Sequence, residues 1–157
     1  MADGVFNISK GRVVEFYNRV ENNDPGTSTI EIMLLKVNEA EATLIDHANY
    51  SLLIADAGNT EADFTNYARI NLTDTELAAL PTPDITNDRF EVDMPDQTWS
   101  TAGNATNNTL TKFVTGYDPS AGADTTILPM THHDFSVTTD GSDITAQINA
   151  LGFFRAA

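Results

Sequence analysis

Ile127-Leu128-Pro129-Met130-Thr131-His132-His133-Asp134-Phe135-Ser136-Val137-Thr138-Thr139-Asp140-Gly141-Ser142-Asp143-Ile144-Thr145 is the stretch that sets the fold class. Threonine and β-branched residues flank Thr139-Asp140-Gly141-Ser142, where Asp-Gly supplies the positive-φ position of a tight turn. The segment predicts strand, hairpin turn, strand. Upstream, Lys112 to Tyr117 reads as a strand, followed by an Asp118 to Asp124 loop rich in Gly, Ala and Asp. Gly103 to Asn108 reads as a turn, Thr98-Trp99-Ser100 as a strand around the single tryptophan, and Arg89 to Met94 alternates. Gly152-Phe153-Phe154-Arg155 closes the chain.

The N-terminal half is more mixed. Thr29 to Val37 is the clearest strand, and Tyr67 to Leu72 alternates as another. Val13, Phe16, Tyr17 and Val20 have the i, i+3, i+4, i+7 spacing of a helix face, so residues 11–21 predict a helix, broken by Asn22-Asn23-Asp24-Pro25-Gly26. A second short helical region should place Leu44, Ile45, Leu52, Leu53 and Ile54 on one face and end at Gly58 as its left-handed residue. Thr73-Asp74-Thr75-Glu76 has the shape of a capping box, yet Pro81 leaves room for one turn of helix at most. Many short strands at 8–12-residue spacing predict a mainly β protein. The expected fold is an antiparallel sandwich or jelly-roll-like single domain with one or two short helices in its N-terminal half. Residues 1–12 are expected to form an N-terminal arm and 13–157 the β-rich domain.

At 157 residues a single core of adequate size is possible without staples. There are no cysteines, which removes disulfides, thiolate metal sites and a cysteine nucleophile. The opening residues lack the basic and apolar regions of a signal peptide, and no apolar run approaches bilayer length. Synthesis in the cytoplasm and no membrane contact are therefore expected. A formal net charge of −15 opposes phosphate backbones and anionic lipid surfaces, so direct nucleic-acid binding is not expected. Lys10, Arg12 and Arg19 concentrate positive charge in the first twenty residues, whereas residues 37–68 contain no Lys or Arg.

No catalytic set emerges. His132 and His133 should point to opposite faces of a strand, leaving His132 and Asp134 on one face, where a metal would need a third ligand such as Asp118 or Asp124. A structural role for the pair is the simpler reading. The acids at Asp84 and Asp88 and from Asp93 to Asp96 do not follow EF-hand order. No Gly-x-Ser-x-Gly elbow or phosphate-binding glycine loop occurs. The expectation is a non-enzyme with no cofactor and no metal.

Several blocks together resemble a family of small virion proteins of tailed bacteriophages. They are Lys10-Gly11-Arg12, Glu15-Phe16-Tyr17-Asn18-Arg19-Val20, Asn22-Asn23-Asp24-Pro25, Ala57-Gly58-Asn59-Thr60-Glu61-Ala62 and Tyr67-Ala68-Arg69. Asn87-Asp88-Arg89, Asp96-Gln97-Thr98-Trp99, Leu128 to Phe135 and Thr139-Asp140-Gly141 complete the set, which spans nearly the whole chain. The resemblance implies a capsid decoration or cement protein, made in the host bacterial cytoplasm and carried on the outer capsid surface of the virion. Its partners would be the major capsid protein and further copies of itself, as a homotrimer. Lys10, Arg12 and Arg19 would meet the capsid, and Tyr117, Phe153 and Phe154 would supply subunit contacts. Loss of residues 1–12 is then expected to abolish capsid binding and spare the fold. The alternatives are a neck or tail component, or a carbohydrate-binding or hydrolytic surface β domain with Trp99 and Tyr117 as a stacking platform.

Overall fold

A computed structural model describes residues 3–156. The protein is mainly β and antiparallel, as the strand pattern requires. Its elements are β1 (Gly4–Val5), a 3-10 turn (Asn7–Ser9), α1 (Val13–Glu21), β2 (Thr29–Val37), α2 (Glu41–Leu44), α3 (Tyr50–Ala55), β3 (Thr60–Glu61) and β4 (Ile70–Leu72). There follow β5 (Phe90–Val92), β6 (Gln97–Trp99), β7 (Thr109–Asp118), β8 (Leu128–Thr138), β9 (Ile144–Ala146) and β10 (Phe154–Ala156). One six-stranded sheet runs β1-β8-β7-β2, with β3 and β4 both on the far edge of β2. The ribbons β5–β10 and β6–β9 lie apart from it. No helix of the described residues is long and apolar enough to cross a membrane.

β2 is buried almost end to end, which explains its continuous apolar run. Ile30, Ile32 and Leu34 point into the larger core with Phe113 and Tyr117, where α1 contributes Val13, Phe16, Tyr17 and Val20, the helix stripe read from spacing. Trp99, Ile144, Val92 and Phe153 bring both ribbons onto that same core. Met33, Leu35 and Val114 point the other way and meet Phe6, Leu44, Tyr50, Leu53 and Ile127. A register shift between Thr115 and Gly116 accompanies the passage of Met130 into the larger core.

Four expectations change. Gly141 does have a positive φ of 100°, but β8 and β9 do not form a hairpin. β8 pairs with β7 and β1, while β9 pairs with β6, so the Asp-Gly turn carries the chain from one sheet to another. The region 44–54 is two short helices rather than one. Leu44 and Leu53 enter the core, but Leu52 is 53% exposed because six residues of α3 can bury only one narrow stripe. Gly58 is not a left-handed cap; its N–H donates to the Asp56 carboxylate. Finally, the segment expected to be an arm is built into the fold from Asp3 onward. Gly4 and Val5 pair with β8, Phe6 is fully buried, and the buried Ser9 hydroxyl donates to the Pro129 carbonyl at 2.6 Å. Met1 and Ala2 lie outside the described residues.

Candidate functional site

The histidine pair behaves as strand geometry dictates. His132 faces the smaller core, edge-on to Phe6, and burial pushes its pKa down. His133 faces the larger core beside Phe113, and burial lowers its pKa also. His132 and Asp134 do share a face, yet they do not converge on a metal. Asp134 accepts from the Lys112 ammonium at 2.6 Å, Asp118 folds over its own loop to accept from the Ser120 and Gly122 N–H groups, and Asp124 is bound to Arg69.

His133 takes part in an arrangement that no sequence motif announces. Its Nε2 lies 2.9 Å from the Thr131 hydroxyl and its Nδ1 3.4 Å from the Asp3 carboxylate. Acid, imidazole and hydroxyl in line are the parts of an activated nucleophile. Here the hydroxyl is 1% exposed and bonded to the Thr115 hydroxyl at 2.7 Å, so it ties β7 to β8 and faces no substrate. Beside it a depression of about 490 Å³ is lined by Phe113, His133, Phe135, Ile148, Phe153 and Arg155. The depression reaches the imidazole and not the hydroxyl.

Positive charge is distributed unevenly. Arg69 is held by Glu31, Glu61 and Asp124 at 2.6–2.9 Å, with its guanidinium 5.4 Å from the Tyr50 ring centre. These carboxylates belong to β2, β3 and the loop before β8, so the arginine staples three segments. Burial raises the Glu31 pKa against the pull of Arg69. Lys112 is fully buried between Glu41 and Asp134, Lys36 meets Asp63, and Arg89 meets Asp84 and Glu91. On the outer side of α1, Arg12 and Arg19 flank Glu15 at 3.0 and 3.4 Å with their side chains nearly half exposed, and Lys10 stands exposed just before them. Arg12 and Arg19 therefore share one carboxylate on the same side of α1, and Lys10 is exposed two residues before Arg12.

The expected subunit-contact aromatics do not gather at a surface. Tyr117 is 4% and Phe153 6% exposed, because Tyr117 stacks on Phe16 with ring centres 4.7 Å apart and Phe153 packs against Tyr17. Phe154 is half-buried on β10. Trp99 is also core: it is 4% exposed, packs edge-on to Phe113 and donates its N–H to the Ala68 carbonyl. Neither Trp99 nor Tyr117 offers a free face for sugar stacking. The acid-rich loops are internally occupied, Asp84 organising the 84–89 turn through the Thr86 and Asn87 N–H groups and Asp96 accepting from the Ile148 N–H.

One group with metal-ligand chemistry escaped the sequence reading. Glu39, His47 and Asp56 bring one ligand atom each to within 4.8 Å of one another. Their spacing matches no motif; only the fold of the β2–α3 connection joins them. The chain matches no protein-family profile, no curated protein and no solved structure.

Proposed function

We propose that the protein is a structural, non-catalytic component of a tailed-bacteriophage virion, a decoration protein bound to the outer capsid surface. The observation that carries this reading is the charge layout. On a chain of net charge −15, Lys36, Arg69, Arg89 and Lys112 are buried or half-buried and paired with carboxylates, while the more exposed Lys10, Arg12 and Arg19 have Glu15 among them. Such a body avoids packaged nucleic acid and docks by one edge on an acidic coat surface. The resemblance of sequence blocks along the chain points the same way. The docking edge is then α1 with the residues just before it, which are folded and pre-ordered, rather than an arm that orders on contact.

Trimeric self-association belongs to this reading, since linked copies raise one another's effective concentration at a symmetric capsid point. With Tyr117 and Phe153 buried, apolar side chains open to a neighbour are Ile8, Val37, Leu52, Ile85 and Leu151. The deciding experiment compares cryo-electron microscopy maps of native virions with those lacking the protein. Lost density on the outer shell supports the proposal. Lost density at the portal axis or tail makes it a neck or tail component, and unchanged maps remove it from the virion. Charge reversal of Lys10, Arg12 and Arg19 to Glu should abolish co-sedimentation with undecorated capsids while leaving the circular dichroism spectrum unchanged.

A further inference from the structure

We propose that Glu39, His47 and Asp56 form a binding site for a divalent transition-metal ion of the zinc class. The His47 Nε2 lies 2.5 Å from Glu39 Oε1, and the three ligand atoms lie within 4.8 Å of one another. Tetrahedral zinc, with bonds of about 2.0–2.2 Å to nitrogen and oxygen, needs ligand atoms roughly 3.4 Å apart. Small side-chain rotations therefore convert this cluster into three legs of a tetrahedron, with solvent as the fourth. One imidazole nitrogen with two carboxylates suits zinc and its neighbours, whereas calcium takes six to eight oxygens.

A second observation concerns how the first ligand is held. Asn59 is 4% exposed and grips Glu39 at two points. Its Oδ1 accepts from the Glu39 N–H at 3.1 Å, and its Nδ2 donates to Glu39 Oε1 at 2.8 Å and to the Leu53 carbonyl at 3.1 Å. With both amide hydrogens so used, the 3.4 Å approach of Asn59 Nδ2 to His47 Nε2 supplies no hydrogen bond, and Glu39 is the partner that nitrogen has. Outer groups that orient ligands in this way are a regular part of metal sites. Glu39 and His47 are 12% and 13% exposed, while Asp56 is exposed and gives an entry path. Binding uses the Nε2 lone pair of neutral His47, with the ring proton carried on Nδ1, so the metal replaces the hydrogen bond between His47 and Glu39. The ion would clamp the end of β2, the α2–α3 turn and the end of α3.

The test is calorimetric titration of the full chain, stripped with EDTA, with zinc chloride in a non-chelating buffer. One ion per chain is expected, with a rise of several degrees in Tm at saturating zinc. Asp56→Asn, an exposed near-isosteric change, and His47→Gln should each weaken binding at least tenfold, and Asn59→Ser should weaken it 10- to 100-fold. Millimolar calcium should not compete. Zinc binding that survives both Asp56→Asn and His47→Gln, in variants with unchanged circular dichroism, would overturn the site. Failure of the unmodified chain to bind zinc below millimolar concentration would overturn it equally.

Discussion

On one face of the six-stranded sheet, Ile30, Ile32, Leu34, Phe113 and Tyr117 meet α1 and both ribbons almost wholly through carbon. On the other, Met33, Leu35 and Val114 share their layer with the Lys112 ammonium, the Arg69 cluster and His132. The first face has a nine-residue amphipathic helix and two ribbons to cover it. The second has only α2, α3 and a 3-10 turn, too little apolar surface to seal β2 and β7, and ion pairs fill the remainder. Carbon contacts tolerate small displacements, but a buried charge requires its partners in place. The two faces should therefore fail in different ways.

The largest effect is expected on the apolar face. Phe16→Ala removes a fully buried ring and its stack on Tyr117, costing about 3–5 kcal/mol; at roughly 2–4 °C per kcal/mol for a domain this size, Tm should fall by about 6–20 °C. A drop below 3 °C would show that the α1 interface is not a main support. On the polar face, Lys112→Ala leaves Glu41 and Asp134 facing each other. Their carboxylates are about one-third exposed, so the cost should be about 2–3 kcal/mol rather than the full buried-pair penalty. Replacing Lys112, Glu41 and Asp134 together by Met, Gln and Asn should recover most of that loss in chemical denaturation. If it does not, packing of the lysine stem rather than charge holds this face.

Gly116→Ala is a narrower probe of the same side. An added Cβ would lie 2.6 Å from Tyr50 Cζ and 2.8 Å from Ile127 Cγ2, and overpacking of this kind costs about 1–3 kcal/mol. The Tyr50 hydroxyl, which donates to the Glu31 carbonyl, should lose its alignment. The smallest effect compares the faces directly, since each holds one histidine. Burial lowers both pKa values from the ordinary 6.5. Below about pH 6.5 the unfolded chain therefore binds more protons than the folded one, and stability falls as the pH drops through that value. Thermal melts from pH 7.5 to 5 should show this slope, and His132→Leu and His133→Leu should each remove part of it. A slope unchanged in both variants would assign it to the carboxylates instead.

Much of this contrast could be read from the chain, though unevenly. The α1 stripe, β2 and the opposed directions of His132 and His133 follow from periods of 3.6 and 2, which are local properties. The Asp-Gly turn was legible as a turn but not as a change of sheet, because pairing is decided by distant strands. Tyr117 and Phe153 were assigned to a surface since flanking loop residues hide what packs over them. The Glu39, His47 and Asp56 group, like the Arg69 staple, joins residues whose separation carries no periodic signal. Ion clusters of this kind are written in topology, and a convergent pair such as Glu39 with Asn59 could be found only once β2 and β3 were placed side by side.

The two-residue strand β1 finds its partners, Thr131 and His132, near the opposite end of the chain, and β2 likewise waits for β7. A sheet ordered in this way cannot be laid down progressively as the polypeptide leaves the ribosome. Until residues beyond 130 have emerged, Phe6, Ile30 and Leu34 have no finished place to go, and the nascent chain carries them exposed. Closure of such long loops slows folding. The sheet thus cannot close before β8 has left the ribosome, and a ribosome stalled before β8 should hold a chain still open to protease.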